Sequence, residues 1–131
     1  MTERLQRDID LLRGRYPEVE FREEGQWVFL PHYLVPNEAW EHKDYAVCFQ
    51  LRQGYPDIGP YGINTSPPPR GKNGQVPTNY VDNPEPAPPF PGTWGRLSWN
   101  SEGWRATPDL VSGHTLLNYV ESMRQRFEEG P

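Results

Sequence analysis

Tyr45-Ala46-Val47-Cys48-Phe49-Gln50-Leu51-Arg52 runs directly into Gln53-Gly54-Tyr55-Pro56-Asp57-Ile58-Gly59-Pro60, and the fold turns on these two stretches. In the first, Tyr45, Val47, Phe49 and Leu51 share one face of an extended chain, and Ala46, Cys48, Gln50 and Arg52 share the other. That alternation predicts a strand with one side in an apolar core. The second stretch cannot continue it, because Gly54, Pro56 and Pro60 force a turn.

Upstream, Glu18-Val19-Glu20-Phe21-Arg22 and Gln26-Trp27-Val28-Phe29-Leu30 read as two further strands joined at Glu24-Gly25. Short turn-rich links predict an antiparallel meander. Pro31 and Pro36 make the end of the second strand irregular or place it at an edge. Ahead of the strands, Leu5, Ile9, Leu12 and Tyr16 recur at helical spacing. Thr2 is the expected N-cap, Gly14 and Pro17 the stop, and Arg4, Arg7, Asp8 and Arg13 the exposed face. Near the other end, Leu116, Val120, Met123 and Phe127 form a second helical face. Thr107, Pro108 and Asp109 are residue types favoured at an N-cap, first helical position and first turn, so a helix carrying His114 is expected over 110–127.

The middle differs. Eleven of the 16 prolines lie between Pro56 and Pro91. Residues 64–93 therefore read as a long Pro-rich loop, pinned by Tyr80 and Phe90, with a mobile tip at Arg70-Gly71-Lys72-Asn73-Gly74. Within it, residues 84–91 suit either a polyproline ligand or a cover over a sheet edge.

The 131 residues suit one domain, 1–131, with a small core, since only 34% are hydrophobic. Thirteen Lys and Arg against 18 Asp and Glu give a net charge of −5 and no basic patch, which argues against nucleic acid as main partner. No apolar run approaches the ~18–20 residues of a membrane span, and the charged N-terminal stretch lacks a signal-peptide core, so a cytoplasmic location is expected. The single cysteine, Cys48, has no internal disulfide partner, and His32 and His42 lack zinc-ligand spacing. No metal and no cofactor is called for.

Leu51-Arg52-Gln53-Gly54-Tyr55-Pro56-Asp57-Ile58-Gly59-Pro60, Asn73-Gly74-Gln75-Val76 and Trp104-Arg105-Ala106-Thr107-Pro108-Asp109-Leu110 together resemble the ubiquitin-conjugating (E2, UBC-like) proteins. These carry a Tyr-Pro-x-x-x-Pro element after the third strand and a Trp before a later helix. The pattern is most similar to prokaryotic E2 family E, through Arg15-Tyr16-Pro17-x-Val19-x-Phe21, Leu30-Pro31-x-Tyr33-Leu34-x-Pro36, Gly54-Tyr55-Pro56-Asp57 and Trp94-x-x-Leu97-Ser98-Trp99. The resemblance implies an α+β, UBC-like fold: N-terminal helix, four-strand antiparallel meander, long Pro-rich loop and C-terminal helix. It implies partners among ubiquitin-like proteins, E1-like adenylating enzymes and JAB-type peptidases.

One departure decides the expected chemistry. A conjugating E2 holds its cargo on a cysteine after the Tyr-Pro turn, whereas Cys48 precedes that turn, inside a strand. Alignment through Asn73 puts Pro77 at the cysteine position, and alignment back from Trp104 puts Ser98 nearby. The expected function is therefore that of an E2-like protein that binds without a catalytic cysteine. One alternative is an oxyester transferase using Ser98 with His114 as its base. Another is a UBC/RWD-like scaffold module outside conjugation. Tyr55, Pro56, Asp57, Trp94, Trp99 and Trp104 are the candidate binding residues. For the three tryptophans a core role competes, and for Asp57 a turn-forming side-chain bond to the backbone.

Overall fold

The computed structural model describes residues 1–131 and builds two helices and six strands into an α+β fold. Helix α1 (Glu3–Arg15) starts where the Thr2 hydroxyl accepts the Leu5 N–H at 3.1 Å. Strands β1 (Glu20–Arg22), β2 (Trp27–Leu34), β3 (Asp44–Gln50) and β4 (Tyr61–Ser66) follow as spatial neighbours. β5 (Tyr80–Asp82) and β6 (Gly95–Asn100) extend the sheet to the order β1-β2-β3-β4-β6-β5, with every pair antiparallel. The register of β2 shifts between Leu30 and Tyr33, which brackets Pro31. Helix α2 (Leu116–Glu128) closes the chain. No helix is long and apolar enough to cross a membrane.

The sheet thus has six strands rather than four, and residues 64–93 are not one loop. They include the end of β4 and all of β5. β4 shows no alternating apolar pattern, because Gly62 sits at φ +86° and Ile63 is its one aliphatic core residue. Its place is fixed by the ladders to β3 (Val47↔Thr65) and β6 (Ile63↔Leu97). The stretch read as a mobile tip is also tied down. Glu41 N–H donates to the Arg70 carbonyl and Lys72 N–H to the Ala39 carbonyl, both at 2.9 Å, around a Trp40–Gly71 bridge.

The last helix begins at Leu116, not at 110, and His114 lies before it. Thr115 and Asn118 form a capping box: the Thr115 hydroxyl accepts the Asn118 N–H, and the Asn118 side chain accepts the Thr115 N–H at 2.8 Å. The earlier cap signal is consumed in a turn. Asp109 Oδ1 accepts the N–H groups of Val111 and Ser112, and Leu110 stands at φ +60°, outside any helix.

Two separate clusters cover the sheet. On one face Val28, Leu30, Tyr45, Val47, Phe49, Ile63 and Leu97 pack against Leu5, Ile9 and Leu12 of α1 and Leu116, Tyr119, Val120, Met123 and Phe127 of α2. On the other, Trp27 and Cys48, with Phe29 and Ala46 beside them, pack under Phe90 and Trp94. The Pro-rich stretch 84–91 therefore covers a face, not an edge. The alternation of residues 45–52 is the origin of this division.

Candidate functional site: the Tyr-Pro turn and its buried carboxylate

Asp8 is completely buried at the centre of the site. Its Oδ1 accepts the N–H of Leu116, the first residue of α2, at 2.9 Å. Its Oδ2 accepts from the Tyr55 hydroxyl and from Arg4, one helical turn earlier. Arg4 also donates to the carbonyls of Thr107 (3.2 Å) and His114 (3.4 Å). A carboxylate at a helix N-terminus pairs with exposed amides and with the positive end of the helix dipole. One acidic group thereby joins α1, the Tyr-Pro turn and α2. Burial, then the adjacent Asp8 carboxylate, push the Tyr55 phenol above its ordinary range. Asp8 was expected on the exposed face of α1. Its spacing of three from Leu5 and four from Leu12 is the signal that places it inward.

The turn is closed from the other side by Trp104. Its indole N–H donates to the Pro56 carbonyl at 2.7 Å, and its ring lies 6.0 Å from that of Tyr55. A Cβ at Gly59 would sit 2.6 Å from the indole, so no larger residue fits there without displacing Trp104. Arg52 Nε–H donates to the Gly59 carbonyl at 2.8 Å. Tyr55, Pro56 and Trp104, singled out separately in the sequence, thus form one unit. Asp57 is exposed, and its carboxylate makes no hydrogen bond; only its N–H is engaged, with the Gly54 carbonyl at 2.9 Å. Beside it Ile58 and Tyr61 stand 46% and 40% exposed, with the Arg52 guanidinium over the Tyr61 ring. Neither Ile58 nor Tyr61 was singled out as a binding residue. Their position straight after Pro56 was the available clue.

Ser98 and His114 do not meet. Ser98, on β6, lines a cleft of about 560 Å³ with Tyr61, Trp99 and Ser122, and its hydroxyl has no partner. His114 stacks on Trp104 at 5.2 Å, and its Nδ1 accepts the Arg105 N–H at 2.9 Å. The same Nδ1 lies 3.2 Å from the Arg105 carbonyl, so the ring is held against the Arg105 backbone, and no hydrogen bond joins it to Ser98. Trp99 donates its indole N–H to Ser122 Oγ at 3.0 Å, locking β6 to α2. Trp94 is buried on the opposite face, with its N–H on the Phe90 carbonyl at 3.1 Å. The three tryptophans are therefore in three different places and form no single patch.

Cys48 is fully buried, and burial pushes its thiol well above the ordinary range. Such a sulfur is inert as a nucleophile. No protein-family model, curated protein or solved structure matches this chain.

Proposed function

We propose that the chain is an E2-like, UBC-fold protein of a ubiquitin-like conjugation system, and that it binds its ubiquitin-like partner without forming a thioester. The observation that supports this most is the Trp104–Pro56 hydrogen bond of 2.7 Å. It joins two of the motifs that carry the resemblance, which lie 48 residues apart in the chain. The order helix, meander, Tyr-Pro turn, Trp, helix runs in the same sense, and β5 and β6 are an addition to it. The inaccessible Cys48 supports noncovalent action. The exposed turn residues Asp57, Ile58 and Tyr61 supply the binding surface, and an E1-like enzyme or a JAB-type peptidase is a further partner.

Against the oxyester alternative stands the place of His114, which stacks on Trp104 and bonds the Arg105 backbone without reaching Ser98. The protein is to be incubated with a ubiquitin-like protein, an E1-like adenylating enzyme and ATP, then analysed by denaturing mass spectrometry. The expected result is no adduct, with NMR shifts on titration confined to residues 52–61 and their neighbours. A hydroxide-labile, ATP-dependent adduct on Ser98 would establish the transferase instead. Absence of any binding would favour the scaffold module.

A further inference from the structure

Residues 83–92 form a strap across the face opposite the helices, and the strap is attached in an unusual way. It contains five prolines and makes no backbone–backbone hydrogen bond. Its two ends are left-handed residues, Asn83 at φ +47° and Gly92 at φ +123°. What holds it is the Phe90 ring, the buried Pro84, two arginines and the Trp94 indole, whose N–H donates to the Phe90 carbonyl at 3.1 Å. Phe90 stacks on Phe29 at 4.3 Å and 16°, and meets Trp27 edge-on at 6.4 Å. Arg22 donates to the Pro89 carbonyl at 3.1 Å and lies over the Phe90 ring, and Arg96 donates to the Glu85 carbonyl at 3.3 Å.

The contacts from the sheet are thus to main-chain carbonyls and a single aromatic, which any extended peptide of the same kind can supply. The strap is also an incomplete occupant. Asn64 is 4% exposed and pairs across the sheet with Cys48, to whose carbonyl its Nδ2 donates at 3.1 Å. Its Oδ1 has no partner. Buried acceptors are ordinarily paired, and this is a point at which an occupant other than the strap's own sequence can add a donor.

We propose that the Trp27–Phe29–Asn64 face is a docking site for an extended, proline-containing peptide with one aromatic anchor, and that the chain's own strap occupies it until such a segment displaces it. Segments held by few contacts open locally, without global unfolding. A ligand for the open form binds with its affinity reduced by the fraction of time the site is free. Cys48 lies beneath Phe90 in the same cluster and reports opening directly.

The probe is a fluorescein-labelled synthetic peptide, Asn-Pro-Glu-Pro-Ala-Pro-Pro-Phe-Pro-Gly, with a control in which its Phe is Ala. It is titrated against the full-length wild type and Phe90→Ala by anisotropy, with Cys48 labelling by a thiol reagent read in parallel. Phe90→Ala is expected to speed labelling at least tenfold with unchanged helical circular dichroism. The peptide should bind this variant at least tenfold more tightly than wild type and restore Cys48 protection, and the control should do neither. Should Phe90→Ala fail to fold, Pro86→Gly/Pro89→Gly loosens the strap through exposed residues and is held to the same outcomes. Unchanged labelling would show that the strap does not open. Faster labelling with no peptide protection would show a mobile cover and no docking site. Either result overturns the proposal.

Discussion

On one side of the sheet α1 and α2 lie over Val28, Val47, Phe49 and Leu97; on the other, the strap lies over Trp27, Phe29 and Cys48. The helices satisfy their own backbone groups before they touch the sheet, so they bring an almost purely apolar surface to it. The strap brings five prolines and carbonyls that only side chains answer. Polar links across the helix side are buried and specific. Tyr119 donates to the Gly62 carbonyl at 2.8 Å, and Trp40 to the Phe127 carbonyl at 2.9 Å. Of the links to the strap, the two from Arg22 and Arg96 are exposed, and only the Trp94–Phe90 bond is buried. The helix side therefore holds the larger share of the buried contacts, and the strap side the smaller.

The largest test of this difference pairs two phenylalanines. Phe127 is fully buried among Trp40, Tyr33 and Tyr45, at centroid distances of 5.3, 5.7 and 6.5 Å. Phe127→Ala should cost about 3–5 kcal/mol and lower the urea midpoint of the whole transition. Phe90→Ala should cost only ~1–2 kcal/mol, because an opened strap leaves the helix side intact. Equal shifts in chemical denaturation would erase the distinction between the faces.

Asp8→Asn comes next and isolates the polar link between α1, the turn and α2. The amide keeps the shape but loses the charge paired with Arg4, and it cannot accept through both atoms. A buried pair with one partner removed costs roughly 3 kcal/mol or more. Hydrogen exchange should rise at the Leu116 amide and leave the strap face unaffected. If Leu116 stays protected, the carboxylate is not what fixes the start of α2.

Legibility in the sequence divided along the same line as stability. Elements that pack by periodic apolar contact were visible: α1 by the spacing of Leu5, Ile9 and Leu12, β3 by strict alternation, and α2 by Leu116, Val120, Met123 and Phe127. Elements placed mainly by backbone pairing were not. β4 has a left-handed glycine and buries Asn64 and Thr65, and β5 has three residues between proline clusters. Within the site, Tyr55, Pro56 and Trp104 stood out as residue types. Asp8 did not, because an acidic residue beside two arginines looks solvated until α2 arrives to bury it. The start of α2 was misplaced because two cap signals compete within ten residues, and the one with the reciprocal Thr115–Asn118 pair prevails.

The smallest effect separates the faces by pH. Burial raises the phenols of Tyr33, Tyr55 and Tyr119, all on the helix side, above the ordinary value of 10.0. On the strap side it raises the Cys48 thiol above 9.0. In each case the neutral form is favoured by the fold, so the stabilisation is complete below the unfolded pKa. As pH rises past that value the unfolded chain releases its proton first, and stability falls. Urea midpoints should therefore stay flat up to about pH 9, dip slightly as the unfolded thiol ionises, and fall steeply above about pH 10 as the tyrosines follow. Cys48→Ala, costing ~1 kcal/mol at neutral pH, should abolish the first step and leave the second. Absorbance at 295 nm should show these three tyrosines ionising only as the protein unfolds. If Cys48→Ala removes the steep limb as well, the two faces share one titration and are not independent.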